Sequence, residues 1–592
     1  MDFFALLTML GGLALFLYGM ETMGQGLEKL SGGRLERILE RLTKTPLKAV
    51  LLGAGVTAVI QSSSATTVMV VGFVNSGIMR LSQAVGIIMG ANVGTTVTSW
   101  ILSLAGIESE NFFVRLLKPS SFSPVLALLG VILLMFSKRE KKKDVGTILI
   151  GFAILMFGME TMSGAVKPLA RVPEFTGILT MFSNPLLGIL AGALLTAVIQ
   201  SSSASVGILQ ALSATGAMNY GSVIPIILGQ NIGTCATALL SGIGAGKNAR
   251  RAALVHLYFN LIGATVFMAV FYTANNVFHF AFLEKPVDVM GIAVVHSLFN
   301  VAATLVLLPF SGGLVRLACL SIPDAAERET AGEKEKDPEF RLLDERFLET
   351  PGYAAKQCQL MAVRMANLSR SCILTADRLF KEYDEEKAAE IARMEELVDR
   401  YEDALGTYMV KLGARSLSAG DSHTVSLLLH CIGDLERISD HGRNLMRAAK
   451  EMHEKKLEFS KKAKKELDIL MRAVEESLML AVEAFEKNDR KRAALVEPLE
   501  EVVDGLITCL KANHIKRLQK GKCTIEQGVV LSDISTNLER VSDHCSNIAV
   551  SVIEIERDGF DAHGYLEHLK KGNDPQFTAL VESYRRKYAL PG

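Results

Sequence analysis

From Phe175 to Gly246 the chain contains no Asp, Glu, Lys or Arg, and charges are sparse all the way from Phe3 to about Pro309. A soluble domain rarely goes so far without a charge, whereas hydrocarbon makes each one costly, so this half reads as a polytopic membrane domain. Other absences narrow the field further. There is no Cys-x-x-Cys pair and no finger spacing among the eight cysteines, six of which lie beyond Asp324, so they read as reduced core thiols and not as disulfides or zinc ligands. Neither a Gly-x-Ser-x-Gly elbow nor a Walker loop is present, which argues against an enzyme. No basic tail or nucleic-acid motif occurs, and Phe3 to Met20 lacks the basic flank and cleavage site of a signal peptide, so it reads as the first membrane helix.

What the apolar half does contain is a duplication. Val-Ile-Gln61-Ser62-Ser63-Ser64-Ala65 returns as Val-Ile-Gln200-Ser201-Ser202-Ser203-Ala204, an offset of 200 − 61 = 139. The same offset relates Gly-Ala-Asn92-Val-Gly-Thr95 to Gly-Gln-Asn231-Ile-Gly-Thr234, and Gly-Met-Glu21-Thr-Met to Gly-Met-Glu160-Thr-Met. Three matches in one register define repeats of about 1–137 and 145–312.

Basic clusters orient them. Lys29, Arg34, Arg37, Arg41, Lys44 and Lys48 form one, Lys138, Arg139, Lys141, Lys142 and Lys143 a second, and Lys247, Arg250 and Arg251 a third. With all three on the cytoplasmic side, the duplicated helices run oppositely and the repeats are inverted. Arg115 and Lys118 then fall outside, offset by Glu108 and Glu110. Lys48 and Arg80 bracket an uncharged segment with both ends on one side, so Ala49 to Met79 is expected to enter and return as a re-entrant hairpin with its tip at Gln61 to Ala65. Its copy, Pro185 to Ala217, enters from the opposite face and brings Gln200 to Ala204 to the midplane. Remaining crossings are expected at about Leu81 to Gly106, Phe122 to Phe136, Ser222 to Ser241, Ala252 to Thr273 and Val289 to Phe310.

A Ser-Ser-Ser run that opens a returning helix sets hydroxyls beside unpaired N–H groups, an arrangement suited to a tetrahedral oxyanion. Small residues that merely permit tight packing are the bland alternative, and two matched copies weigh against it. No Lys or Arg lies close in sequence to either tip, so a co-bound monovalent cation is expected to offset charge. Its oxygen donors would be Thr57 and Thr196, Gln61 and Gln200, and unwound backbone near Asn92, Thr95, Asn231 and Thr234, where flanking glycines suggest broken helices. Glu21 and Glu160 are alternative ion or proton sites, and His256 and His296 read as structural hydrogen-bonding residues.

Paired Gln-Ser-Ser-Ser motifs in inverted repeats resemble the type II sodium-phosphate cotransporter family over roughly Phe3 to Phe310. The resemblance implies Na⁺-coupled transport of inorganic phosphate by alternating access, with substrate at Gln61, Ser62, Ser63, Ser64, Gln200, Ser201, Ser202 and Ser203, and sodium at neighbouring Gln, Thr and Asn positions. The long extracellular loop of animal members is absent, as in a compact bacterial form. Sulfate and arsenate share the geometry, and the direction of transport stays open, as does a membrane-anchored phosphate sensor.

After a polar linker, set at 313–340, composition inverts to Glu, Lys, Arg and Leu with helical periodicity. Leu-Glu436-Arg-Ile-Ser-Asp440-His441-x-x-Asn444 recurs as Leu-Glu539-Arg-Val-Ser-Asp543-His544-x-x-Asn547, and Glu-Glu396-Leu-Val-Asp399 as Glu-Glu501-Val-Val-Asp504. Two three-helix bundles over 341–560, ahead of a tail at 561–592, account for this pattern. Residues four apart share a helical face, so Glu436, Asp440 and Asn444 make an oxygen stripe that Glu396 and Asp399 complete, suited to hard divalent cations. A solvated acidic face paired with Arg437 and Arg540 is the alternative. The motif resembles the PhoU-like phosphate-regulatory domain, which implies divalent metal held by Glu436, Asp440, Glu539 and Asp543. The expected fold is therefore all-α, with a multi-pass membrane domain in the cell membrane and a cytoplasmic regulatory bundle. Its partners are phosphate, sodium and the lipid bilayer but no nucleic acid, and a homo-oligomer or a cytosolic regulatory partner stays open.

Overall fold

A computed structural model describes residues 3–31, 45–106, 119–168, 181–323, 338–554 and 575–590, with 172, 177 and 179 between. Arg34, Arg37, Arg41, Lys44, Glu108, Glu110, Arg115 and Lys118 lie outside the described residues, as do 324–337 of the expected linker, 555–560 of the expected bundle, and 561–574 and 591–592 of the expected tail. Among the described residues every regular element is a helix. Two compact units divide the chain, Met1–Tyr353 and Ala354–Gly592.

The first unit runs α1 Phe3–Ser31, α2 Pro46–Ile60, α3 Ser63–Asn75, α4 Leu81–Ser103, α5 Pro119–Phe136 and α6 Glu140–Val166. It continues with α7 Pro185–Ile199, α8 Ser202–Ser213, α9 Tyr220–Gly233, α10 Cys235–Ser241, α11 Lys247–Phe278, α12 Val289–Leu307 and α13 Ser311–Ser321. Six stretches are long and apolar enough to cross a membrane: Phe3–Leu30, Leu81–Ser103, Glu140–Val166, Tyr220–Ser241, Lys247–Phe278 and Val289–Ser321. The 15-residue helices α2 and α7 are apolar but shorter. At 1.5 Å per residue each reaches only about 22 Å, less than a hydrocarbon core. On α7, Leu186, Leu190, Leu194 and Val198 recur every four residues and are all more than 60% exposed, an apolar stripe that belongs against lipid.

Duplicated sequence becomes duplicated structure. Pro46 and Pro185 both open their helices at the first turn, where the missing N–H costs nothing. Helices α1 and α6 cross at backbone contact: a Cβ on Gly19 would lie 2.7 Å from the Gly151 carbonyl oxygen, and one on Gly158 would lie 2.7 Å from that of Gly12. Gly12 and Gly151 are mates in the 139-residue register, as are Gly19 and Gly158, so the contact is reciprocal in the manner of a two-fold axis.

Expected breaks at the Asn-Gly motifs are corrected in part. Helix α4 continues unbroken through Asn92, while its counterpart is interrupted only at Thr234. The glycines serve close packing instead of unwinding: Cβ atoms on Gly90 and Gly94 would sit 2.0 and 2.5 Å from carbonyl oxygens of α2, and those on Gly229 and Gly233 equally close to α7.

The second unit holds α14 Pro351–Lys381, whose first three residues belong to the first unit, then α15 Glu385–Gly413 and α16 Ala419–Glu454. The second set is α17 Lys461–Lys487, the one-turn α18 Arg490–Ala493, α19 Val496–Gln519 and α20 Ile525–Glu554, followed by α21 Pro575–Lys587. Buried Tyr401, Leu405, Leu435, Leu470, Leu499 and Leu538 mark its core, and all eight cysteines of the chain are free thiols.

Replacing Gly19 by Leu drives a side chain into the α6 backbone, an overpacking worth about 1–3 kcal/mol or more. The thermal midpoint of the detergent-solubilised protein is expected to fall clearly for Gly19→Leu. It should stay near wild type for Gly55→Leu, where the added Cβ meets nothing within 4 Å.

Candidate functional site

Each tip is built by one backbone device. Helix α2 ends on Gln61 at φ 60°, ψ 20°, and α7 ends on Gln200 at φ 57°, ψ 22°. This left-handed conformation reverses the chain and costs a residue with a Cβ about 1 kcal/mol. Ser62 and Ser201 follow in extended conformation and cap α3 and α8, accepting from Ala65 N at 3.1 Å and Ala204 N at 3.2 Å. Behind the tips, Thr57 Oγ1 donates to Thr66 Oγ1 at 3.1 Å, and its mate Thr196 Oγ1 donates to Ser205 Oγ at 2.8 Å. Glycine would relieve the strain at Gln61 but forfeit its side chain, whose Oε1 accepts from Thr98 Oγ1 at 2.8 Å while Nε2 donates to Ala58 O.

The two tips touch. Ser63 Oγ and its mate Ser202 Oγ lie 3.3 Å apart, and Ser64 Oγ donates to Gln200 O at 3.3 Å. Ser63, Ser202 and Ser203 are buried. Two helix N-termini and their hydroxyls therefore converge, with no acidic side chain in α3 or α8, and such a junction favours an anion.

The other expected positions divide. Asn92 accepts from or donates to two partners on α11: its Oδ1 lies 3.2 Å from His256 Nε2, and its Nδ2 donates to Asn260 Oδ1 at 2.7 Å. Asn260 in turn donates to Cys235 Sγ. Asn231 Nδ2 donates to Ile227 O, Thr95 Oγ1 to Ala91 O and Thr234 Oγ1 to Asn231 O, all within their own helices or the break at Thr234. His296 Nδ1 pairs with Ser99 Oγ at 2.7 Å. Glu21 and Glu160 stand on exposed positions of α1 and α6, Glu21 accepting from Gln25.

In the second unit, carboxylate oxygens of Glu395, Asp399 and Asp440 lie within 4.8 Å of one another, as do those of Glu500, Asp504 and Asp543. The triads are mates in the internal repeat, each a Glu-x-x-x-Asp turn on one helix facing an Asp on the next. Glu395 and Glu500 occupy the place assigned in the sequence to Glu396 and Glu501. Glu396 is exposed, and Glu501 pairs with Arg585. The deciding signal is spacing: 395 is four residues before 399 and shares the buried face with Ile391 and Val398. Arg443 holds Glu395 at 2.6 Å, Arg437 lies 3.4 Å from Glu436 and 3.3 Å from Asp440, and Lys511 lies 3.4 Å from Glu539. Burial, then the neighbouring Asp440, push the Glu436 carboxyl up to about 7, and burial raises those of Asp399 and Asp543. His441 and His544 face across the repeat instead, each Nδ1 bonding the opposite helix, at Asn537 Oδ1 (2.8 Å) and Asp434 Oδ1 (2.7 Å).

A Na+/Pi-cotransporter family model matches twice, at residues 15–164 and 154–291. The chain belongs to the Na+/Pi-cotransporter family. A PhoU domain model also matches twice, at 362–449 and 467–552. Among curated relatives, a putative inorganic phosphate export protein of Salmonella typhimurium is 26% identical over 93% of this chain and 97% of its own. An uncharacterized protein of Bacillus subtilis is 30% identical over 52% of this chain and 95% of its own. The rat sodium-dependent phosphate transport protein 2A is 31% identical over 22% of this chain and 20% of its own. The chain is thus a membrane protein of a transporter family, carrying a helical PhoU region.

Because the fold raises the Glu436 pKa from 4.5 to about 7, its stabilising share is complete below about pH 4.5 and is lost as pH rises through about 7. In metal-free buffer the melting temperature of the full chain is expected to fall over that window, and Glu436→Gln should flatten the fall. An unchanged slope in the variant would assign the pH dependence elsewhere.

Proposed function

We propose that this chain is a sodium-coupled secondary transporter of inorganic phosphate, working by alternating access, with a cytoplasmic PhoU region that regulates it. The observation that carries the reading is the contact of Ser63 with Ser202 at the meeting of two helix N-termini. Helices too short to span support re-entrant hairpins entering from opposite faces, and the basic groups at 138–143 and 247–251 support a cytoplasmic second unit. Phosphate is held by the first-turn N–H groups and hydroxyls of Ser62, Ser63, Ser64, Ser201, Ser202 and Ser203, with Gln61 and Gln200 at the caps. Sodium lies beside it on oxygens of Thr57, Gln61, Thr196, Gln200 and the helix break that follows Asn231 at Thr234, and neutralises charge that no basic side chain of the tips meets. A tetrahedral oxyanion of similar size, arsenate above all, competes.

A second reading, net export, is favoured by the name of the Salmonella relative. Proteoliposomes decide between them. Inward sodium gradients should drive phosphate uptake, and reversing the gradient should reverse the flux; efflux indifferent to sodium would support export by another mechanism. A protein that binds phosphate and moves none would support a sensor.

Ser63→Ala and Ser202→Ala each remove a hydroxyl aimed at a charged ligand, worth about 1.5–3 kcal/mol. Apparent phosphate affinity in the uptake assay is expected to drop about tenfold or more in each, with the melting temperature little changed. Normal affinity in both variants would remove the tips from the substrate site.

The paired acidic triads support divalent metal in the PhoU region, held by Asp399, Asp440, Asp504 and Asp543 with Glu395 and Glu500, and flanked by Glu436 and Glu539. Elemental analysis of purified full chain is expected to find divalent metal, lost together in Asp440→Ala with Asp543→Ala. Equal metal content would leave the triads as solvated faces neutralised by Arg437, Arg443 and Arg540.

A further inference from the structure

The far end of α3, the helix whose first turn carries Ser63 and Ser64, is held by a segment remote in sequence. Residues Asp344 to Tyr353 form a one-turn helix, Glu345–Glu349, and the start of α14, and pack within the first unit. Phe347 is fully buried, its ring 5.5 Å from that of Phe73 on α3 and 4.9 Å from that of Tyr353, and Tyr353 closes the cluster at 5.1 Å from Phe73. The Phe347 ring comes so near the α3 backbone that a Cβ on Gly72 would lie 2.8 Å from it. Asn75, the last residue of α3, donates to Asp344 Oδ2 at 2.5 Å and accepts from Gly246 N at 2.9 Å. Arg346 locks the turn by an ion pair to Asp344 at 2.8 Å and a hydrogen bond from Nε to Ser241 O at 2.8 Å.

The residues that make this docking are not repeated in the second copy, where the far end of α8 is held differently, Gln210 Nε2 donating to Val289 O at 3.0 Å. In the 139-residue register Gly72, Phe73 and Asn75 correspond to Ala211, Leu212 and Ala214, which offer neither the cleft, the aromatic ring nor the amide. The three residues therefore answer to the strap and not to the tip. Helix α3 has 13 residues, so its pinned end and its serine end lie only about 18 Å apart on one rigid rod.

We propose that the segment Asp344–Tyr353 is a strap that restrains α3, and that Phe347 and Asn75 are positioning residues which set the transport rate by limiting movement of the first serine tip. The inference rests on the transport reading above, and one measurement keeps the two separable. Without the strap the tip loses its anchor but none of its ligands, so turnover rises while binding is unchanged.

The test uses the full chain in proteoliposomes, with hydrogen exchange on the same samples. Phe347→Ala and Asn75→Ala are each expected to raise the maximal rate of sodium-driven phosphate uptake about threefold, with apparent affinities for phosphate and sodium within about twofold of wild type. Amides of 63–75 should exchange faster while those of 81–103 do not change. Phe347→Tyr, which keeps the ring, should restore wild-type rate and exchange. Variants that transport at the wild-type rate, or that change affinity alone, overturn the strap and leave the transporter standing. A wild type that moves no phosphate overturns the transport reading, and unchanged exchange at 63–75 in Asn75→Ala then overturns the strap as well.

Discussion

A chain that ends one helix and begins the next among buried residues must find new partners for the N–H and C=O groups it frees, and the rest of this molecule is arranged around two places where that happens. At Gln61 and Gln200 the backbone turns left-handed, and a serine in each copy caps the next helix. The solution is local, needing four residues and one reversed dihedral. Because the repeat uses it twice and the copies meet, the serines that follow the caps stand opposite each other at 3.3 Å. The polarity left by ending a helix is thereby concentrated at one junction instead of being spread along a surface.

Tight crossings make that junction possible. Helices α2 and α7 approach α4 and α9 at glycine so closely that a methyl group would collide with carbonyl oxygen. Dispersion and close backbone contact stand in for the hydrophobic effect, which offers little between helices already surrounded by hydrocarbon. In the second unit water is available, and charge takes over part of the work: Glu466, fully buried, is held by Arg517 at 2.7 Å, and Arg443 holds Glu395 of the first acidic triad at 2.6 Å.

Periodicity and duplication made the helical class, the repeats and the serine tips legible in the sequence, because each is encoded in residues close together. Contacts between distant segments were not. Asn92 read as an unwound cation ligand, yet His256 and Asn260 occupy its amide, and no local signal announces that they lie across from it. Its flanking glycines carried two meanings, unwinding or packing, and only the α2 backbone at 2.0 Å from a would-be Cβ on Gly90 decides for packing. Glu395 and Glu396 form a doublet in which either residue can begin a turn toward Asp399, and burial beside Ile391 and Val398 selects the first. The segment Asp344–Tyr353 read as the start of the bundle at 341–560, since a single turn with one Phe has no periodicity to set it apart.

The two copies are related but not identical, and the difference falls on the tips. Gln61 is buried and bonded to Thr98. Its mate Gln200 is exposed, and the buried hydroxyl of Thr237, the mate of Thr98, has no hydrogen-bond partner among the described residues. The same two side chains thus make a contact in one copy and miss it in the other. Helix α4 is continuous where its counterpart is interrupted at Thr234, three residues before Thr237, so the missed contact sits beside the only change in backbone between the two Asn-Gly-Thr motifs.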